Sequence, residues 1–513
     1  MNMSSDKKHL SPWIAFLVLL CLLSPFILLS FFNFPMGDDF WYGYVVRQDG
    51  YWAAQREFYT LISPRYTTFA LTCLFPLSYG DLYGYKLIPL AAMGLILVAL
   101  ANWFRRTSSG VSPGTPSGGA LGSLWAAGSL GAAGTGGMLS ARGGGMGMGW
   151  KGSLWLGALV LGMYLAIMHG IGEGMYWASA VAGYDTALIL FVLWLTRLFE
   201  WYGGRRGVGS LVMLGLYLVL MAGCLELMMP ICGVVVVLVG LYRWKRRDWL
   251  AAGLLVIIIA LLLVDVCATG VHNRYRQDQQ LHPGRLGYSV GFSVVVVGYC
   301  VFRAVVNPFF WVAVVAGTPA FERWSGGVYR RLPLLFGRKA RLYVGIGLGA
   351  ILLMIPFSIL YLLGLHPFHR VNNLVSFFLL LGLLYYGICR GRRPEGRSDG
   401  GWWGWSGGGG RLGWLKGFGS WVGRRRVVVI VVLLAAGYCL SNNVANGMRE
   451  IVSGRAHQYD QEEQARFRLV ESCPADSCVV PPLRHVEPML RYDSTDSENP
   501  GRYFHKRVIV RGR

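Results

Sequence analysis

Long apolar segments alternate with short polar turns along most of the chain. Trp13–Phe32, Tyr85–Phe104 and Trp249–Val266 each approach the length of apolar helix that crosses a bilayer. Eight further segments follow the same pattern: Ser153–His169, Ala187–Trp201, Ser210–Cys224, Leu227–Tyr242, Tyr288–Val315, Tyr343–Leu363, Leu374–Cys389 and Val427–Leu440. The pattern predicts an all-α polytopic membrane protein with about 11 transmembrane helices.

Composition and charge agree with this class. Of the 513 residues, 54% are hydrophobic and only 14% are charged, which is too little polar surface for a soluble chain. The formal net charge is +22, but the basic residues cluster on one side of the predicted membrane, as in Arg105–Arg106, Arg205–Arg206 and Arg243–Arg247. We therefore interpret the charge as a topological signal that places these segments in the cytoplasm, and we expect no nucleic-acid partner.

The predicted topology divides the chain into a transmembrane domain, residues 1–440, and an extracytoplasmic C-terminal tail, residues 441–513. No small-residue cleavage site follows Trp13–Phe32, so we expect this segment to be a retained anchor. Residues 33–84 then form the first extracytoplasmic loop. Within this loop, Tyr51–Ile62 has aromatic and aliphatic residues at helical spacing, which predicts a helix lying in the membrane interface.

Two cytoplasmic segments have unusual compositions. Residues 107–152 are a Gly-rich linker, in which Ala120–Leu139 is left open as a weak membrane segment. Residues 390–426 form a loop rich in Trp, Gly and Arg. The segment Tyr288–Val315 is predicted to be one returning span that Pro308 bends, followed by a cytoplasmic loop that carries Arg323, Arg330 and Arg331.

Two adjacent acids, Asp38 and Asp39, follow the first apolar segment within Phe34-Pro-Met-Gly-Asp-Asp-Phe-Trp-Tyr42. Carboxylates are costly this close to hydrocarbon, so acids in such positions commonly mark a functional site. The structural alternative is that one of them caps a short helix beginning at Phe40.

Further polar residues follow other apolar segments on the same predicted side. Two of these residues, Glu173 and Asp185, are interpreted as interfacial or helix-end residues. The other charged residues lie close to apolar spans and are therefore stronger candidates for a functional site. These candidates are Glu226, His272, Arg274, His369 and Arg370.

The chain resembles the GT-C superfamily of polytopic membrane glycosyltransferases. The residues that carry the resemblance are Gly37-Asp38-Asp39 after the first span, Pro64-Arg65-Tyr66 in the first loop, Tyr176-Trp177 followed by Tyr184, and Gly223-Cys-Leu-Glu226. The order of elements fits from Met1 to about Arg370. The sequence departs at Ala268-Thr-Gly270-Val-His272-Asn273-Arg274, where related chains often have a Pro-Gly-Asn-like turn.

The resemblance implies an inverting transfer of a sugar from a polyprenyl-phosphate donor to a glycan, lipid or protein acceptor. It places the active site on the extracytoplasmic face of a bacterial inner membrane. Arg65, Tyr176, Trp177 and Glu226 are then expected to bind substrate.

The residues themselves suit this chemistry. One of Asp38 and Asp39 would take the proton of the acceptor hydroxyl, and the other would orient the acceptor or hold a divalent cation such as Mg or Mn. An extended Asp-Asp segment would point the two side chains in opposite directions, so that each serves a different partner. Arg274 and Arg370 are the candidates for binding the departing phosphate, with His272 or His369 as supplementary donors.

Other functions remain open at this point. A flippase or other transporter of lipid-linked glycans would place charges deep within its spans, and these spans are nearly free of them. An O-antigen polymerase or ligase would use outer arginines but would not need the early acidic pair. A structural membrane protein would need neither.

Of the ten cysteines, Cys473 and Cys478 form a close pair in a polar segment. Because the tail is predicted to lie outside the cytoplasm, we expect these two residues to form a disulfide without a catalytic role.

Overall fold

The part of the chain that the structure describes folds almost entirely into helices, as the apolar pattern predicts. The computed structural model describes residues 12–108, 148–243, 248–270, 286–331, 336–363, 369–390, 425–440, 442–484, 489 and 499–510. The predictions for Ala120–Leu139, for most of the linker 107–152 and for nearly all of the loop 390–426 therefore lie outside the described residues.

The first loop and the long helices that follow it have these bounds: α1 Pro12–Ser30, α2 Asp38–Asp49, α3 Tyr51–Leu61, α4 Tyr66–Cys73, α5 Leu82–Lys86, α6 Ile88–Ser108, α7 Trp150–Ile167, α8 Thr186–Tyr202, α9 Val208–Ala222 and α10 Met228–Tyr242. The second half has α11 Trp249–Cys267, α12 Leu286–Val306, α13 Pro308–Arg331, α14 Arg338–Leu363, α15 His369–Arg390, α16 Arg426–Cys439, α17 Asn443–Val452, α18 Arg455–Ser472 and α19 Asn499–Tyr503. Short helical turns cover Pro76–Tyr79, Gly172–Tyr176, Ala178–Ala180 and Val181–Asp185. Strands β1 Ser477–Val480 and β2 Arg507–Val510 pair in parallel.

Several helices are compatible with membrane insertion. Within the described ranges, six are long and apolar enough to cross a bilayer: Leu82–Ser108, Trp150–Ile167, Ala178–Tyr202, Trp249–Cys267, Leu286–Val306 and Arg338–Tyr361. The bent pair α16 and α17 raises this number to seven if it counts as one span. The predicted class is thus supported at the level of a helical protein compatible with a membrane, and eleven spans remain a prediction.

One end of the bundle is rich in arginine, and we call it the arginine end. Arg106, near the end of α6, lies 2.8 Å from Glu200 near the end of α8. About two turns before the end of α13, the Trp324 indole donates a 2.7 Å hydrogen bond to Thr107 Oγ1. The last turns of α6, α8 and α13 therefore meet at this end.

The opposite end carries the acidic pair, and we call it the site end. Asn33, just after α1, donates a 2.8 Å hydrogen bond to the Tyr176 carbonyl. Asn373, near the start of α15, accepts a 2.7 Å hydrogen bond from the His169 amide after α7. Residues that are far apart in sequence thus converge where these helices begin and end.

The prediction of one bent span over Tyr288–Val315 is wrong. Asn307 separates α12 from α13, and its Oδ1 accepts hydrogen bonds from the amides of Phe309 and Phe310 at 3.0 and 3.2 Å. Pro308 takes the first helical position, where its missing N–H costs nothing, so it begins a new helix instead of bending the old one. Helix α13 then runs from the site end to the arginine end.

This correction moves three arginines from a loop to a helix. Arg323, Arg330 and Arg331 lie in the last turns of α13 and not in the predicted loop. They nevertheless remain towards the arginine end, the side on which the charge pattern places them.

Candidate active site

The turn before α2 depends on a glycine. Gly37 occupies the N-cap position with φ of +34°, a conformation that L side chains rarely adopt. The helix begins at Asp38, two residues earlier than the capping alternative requires, so both acids lie in the first helical turn and outside the N-cap position. Carboxylates in a first turn interact favourably with the helix dipole. The segment is therefore helical, and the prediction of an extended Asp-Asp pair is wrong.

Asp39 is buried among hydrogen-bond donors. It is 4% exposed, and its Oδ2 accepts hydrogen bonds from the Tyr85 hydroxyl at 2.6 Å and the Met36 amide at 3.2 Å. Its Oδ1 accepts from the amide of Ser179 at 3.0 Å and from the hydroxyl of the same residue. Burial raises the pKa of Asp39 to about 6, although these hydrogen bonds act in the opposite direction. Asp39 thus joins the start of α2 to α5 and to the turn before α8.

Asp38 is exposed and lies one helical turn before Tyr42. Burial raises the pKa of the Tyr42 hydroxyl, and the Asp38 carboxylate raises it further. The charges of Arg65 and Arg370 lower the same pKa. Tyr42 therefore lies within the electric field of an exposed acid and of two arginines from distant parts of the chain.

Arg65 is held by Glu226. The Arg65 Nε lies 2.9 Å from both carboxylate oxygens of Glu226, and its Nη2 lies 2.8 Å from Oε2. Arg65 precedes α4, and Glu226 lies in the tight turn between α9 and α10. The Thr68 amide and hydroxyl bind the carbonyls of Gly223 and Cys224 at 3.0 and 2.8 Å, which fixes α4 against this turn. The structure thus pairs two predicted substrate-binding residues with each other.

Arg370, in the first turn of α15, packs against two aromatic rings. Its guanidinium carbon lies 4.6 Å from the centre of the Trp177 ring and 5.8 Å from that of Tyr184. Such packing orients a guanidinium through the ring faces. Trp177, Tyr184 and Arg370, all singled out in the sequence, therefore form one wall of the site.

Other predicted residues lie elsewhere. Tyr176 is 1% exposed, and its hydroxyl donates a 2.8 Å hydrogen bond to the Phe26 carbonyl, so it anchors α1 and does not face the exposed acid. His369 is exposed and packs beside Gly170. His272 and Arg274 lie outside the described residues. Asp185 is 1% exposed and directly precedes α8, so of its two interpretations it fits a helix-end residue and not an interfacial one.

The acidic pair does not fit a shared divalent cation. Both oxygens of Asp39 already face N–H or O–H donors, so they are not oriented towards an ion that Asp38 could also reach. Over the part of the chain that the structure describes, no three His, Cys, Asp or Glu residues form a group that could hold a metal.

Two residues near the predicted site residues, Tyr42 and Asp265, were not among the candidates predicted from the sequence. Tyr42 could have been found from its i, i+4 spacing to Asp38, had the segment been read as a helix. Asp265 lies in the last turn of the apolar helix α11, close enough to the Arg65–Glu226 pair and to Tyr66 for their charges to interact. Both of its carboxylate oxygens are buried, with no hydrogen-bond partner among the described residues. An acid within an apolar span was the signal for this residue.

The C-terminal tail supports the acidic segment. The Phe467 ring of α18 lies 5.8 Å from Phe34 and 6.4 Å from Phe40, on either side of the two acids in sequence. Asp460 of α18 forms a buried ion pair with Lys86. The tail is thus folded against the site end of the bundle.

Compared with known protein families, with curated proteins and with solved structures, the chain matches none of them. The resemblance to the GT-C superfamily therefore rests on the residues described above.

Proposed function

We propose that this chain is a membrane-inserted glycosyltransferase that transfers a sugar from a polyprenyl phosphate to an acceptor hydroxyl at the membrane surface. The observation that carries the proposal is that the exposed Asp38 lies near Arg370 at the site end. Asp39, next to it in α2, accepts a 3.0 Å hydrogen bond from the Ser179 amide, and Arg370 lies 4.6 Å from the ring of Trp177, two residues before Ser179. An exposed carboxylate close to cations is the combination that this transfer needs.

The environments of the two acids divide their roles. Asp38 is exposed and is the group that takes the acceptor proton. Asp39 is surrounded by donors and is a positioning residue, because its hydrogen bonds hold the turn that presents Asp38. The sequence alone could not decide which of the two acids takes the proton, whereas this proposal assigns that role to Asp38.

The transfer would proceed as a single displacement. The acceptor oxygen forms a bond to the anomeric carbon of the sugar while its proton passes to Asp38. The bond from that carbon to the phosphate oxygen breaks, and its electron pair remains on the phosphate. Arg370 stabilises this negative charge, and Arg65, held by Glu226, contributes to the positive field.

The apolar helices suit a lipid-linked donor. Six candidate spans in the described ranges would surround the prenyl chain with hydrocarbon, while the charged cluster lies at their ends. This arrangement favours headgroup chemistry over transport, because a transporter would carry charged residues deeper within its spans.

Purified protein in liposomes can test the proposal. The liposomes would contain polyprenyl-phosphate sugars labelled in the sugar, with candidate acceptors present. We expect labelled sugar to leave the lipid carrier. Movement of intact labelled lipid between leaflets without bond cleavage would instead identify a flippase.

A further inference from the structure

A large apolar cavity lies at the arginine end, away from the acidic cluster. It has a volume of about 280 Å³ and lies between α8, α10, α13, α14 and α15. Engineered apolar cavities of about 150 Å³ already bind benzene, so a space of this size can hold part of a hydrocarbon chain.

The lining points to a ligand that is apolar at one end and anionic at the other. Most of the wall is aliphatic or aromatic, as at Phe199, Leu381 and Trp324. Arg243 is the charged residue in the lining among the described residues, with Tyr202 and Tyr242 beside it. The Arg243 guanidinium lies over the Tyr202 ring at 4.8 Å and is 3.1 Å from Asp248.

Neighbouring charges favour an anion at this end. Arg106, Arg197 and Arg205 all lie within 3.1 Å of Glu200, so three cations there contact one acid. A phosphate diester beside Arg243 would complement this positive excess.

We propose that this cavity binds one acyl chain of an anionic phospholipid, whose phosphate lies at Arg243. The occupant is distinct from the proposed sugar donor, because the donor phosphate must lie near Asp38 at the opposite end of the bundle. This inference rests on the membrane insertion proposed above and does not depend on glycosyl transfer.

Native mass spectrometry of the full chain tests the cavity. The protein is purified in detergent and titrated with equal amounts of phosphatidylglycerol and phosphatidylcholine. We expect wild type to retain phosphatidylglycerol preferentially. Leu381→Trp fills the cavity and should lower retention by about tenfold, because the contacts of several buried methylene groups are lost. Leu383→Trp is the matched control, since Leu383 lies on the exposed face of the same helix, and it should retain the lipid.

A second pair of variants guards against misfolding. Val344→Phe narrows the cavity from α14, and Ile346→Phe introduces the same residue on the exposed face of that helix as a control. Arg243→Gln should keep the acyl-chain site but abolish the preference for the anionic lipid.

Equal retention of both lipids by wild type, or unchanged retention in both cavity variants, would overturn the proposal. Displacement of phosphatidylglycerol by polyprenyl phosphate, with the same sensitivity to Leu381→Trp, would also overturn it by naming the donor lipid as occupant. Measuring sugar release on the same preparations separates failure of this site from failure of the transferase.

Discussion

Asp38 is exposed and acts on Tyr42, whereas Asp39 is 4% exposed and accepts hydrogen bonds from Tyr85 and Ser179. The sequence could place this pair at a membrane boundary, because two acids after an apolar span are conspicuous. It could not tell the two acids apart. The donors to Asp39 lie 46 and 140 residues further along the chain, and their approach depends on how the helices pack.

The raised pKa of Asp39 gives a testable pH dependence. Its pKa is about 6 in the folded protein, against 3.8 for an unperturbed carboxyl. The folded state therefore keeps a proton that the unfolded state loses between these values. The resulting stability is fully present below the lower pKa and is lost as the pH rises through the higher one.

We expect the wild-type protein to lose thermal stability as the pH rises from about 4 to 6, and we expect Asp39→Asn not to show this loss. Thermal unfolding of both proteins in the same detergent, at several pH values, measures the difference. Identical pH slopes would show that Asp39 ionises in the folded protein as it does in the unfolded chain.

At the scale of structural elements, Arg65 and Glu226 connect α4 to the turn between α9 and α10. Both side chains are partly buried, with 22% and 28% of their surface exposed. Because several N–H groups of Arg65 face the same carboxylate, the two residues should be energetically coupled. A double-mutant cycle of Arg65→Ala and Glu226→Ala should give a coupling free energy of about 1–2 kcal/mol, discounted for exposure from the value for buried charged hydrogen bonds.

Unfolding in denaturant after reconstitution into mixed micelles measures each corner of this cycle. Arg56→Ala and Glu57→Ala on α3 provide the background coupling, because adjacent residues of a helix do not face each other. A coupling no larger than this background would contradict a positioning role for Glu226.

The tail contains a second element-scale feature, since Cys473 and Cys478 are joined by a disulfide five residues apart. Closing so short a loop stabilises the folded tail by about 2 kcal/mol in the chain-entropy account. We expect the double variant Cys473→Ser, Cys478→Ser to be cleaved faster by protease after α18. It should still transfer sugar at low temperature. The control is the double variant Cys267→Ser, Cys439→Ser, which replaces two exposed free cysteines. Loss of transfer at a temperature where the tail resists protease would mean that the disulfide does more than stabilise.

Element boundaries show where the sequence pattern was sufficient. The first loop helix predicted at Tyr51–Ile62 is confirmed as α3, Tyr51–Leu61, because its apolar spacing is local. The prediction of one span over Tyr288–Val315 was wrong because a proline after an asparagine can either bend a helix or begin one. The Asn307 cap, which decides between these, is visible only in three dimensions.

At the scale of the whole molecule, the two ends of the bundle should lie on opposite sides of a membrane. Arg106 and Arg205 mark one end, whereas Asp38, Arg370 and the tail mark the other. We expect residues 33–84 and 441–513 to face outward, and residues 243–247 and 390–426 to face the cytoplasm.

Single cysteines introduced at Trp52 and Arg205, in a chain whose native exposed cysteines are replaced, can test this orientation. A membrane-impermeant thiol reagent applied to intact cells should label the first site and spare the second until the cells are opened. Labelling of both sites in intact cells, or of the second alone, would contradict the topology.

The central claim is that Asp38 is the base of a sugar transfer, and one comparison tests it most directly. Asp38→Asn and Asp49→Asn make the same chemical change at opposite ends of α2, at two exposed acids. Release of labelled sugar from polyprenyl phosphate is measured for both variants at equal amounts of folded protein. The account predicts a loss of roughly 100-fold or more for Asp38→Asn, the scale of a positioned acid–base group, and near-normal release for Asp49→Asn. Near-normal release by Asp38→Asn would contradict it.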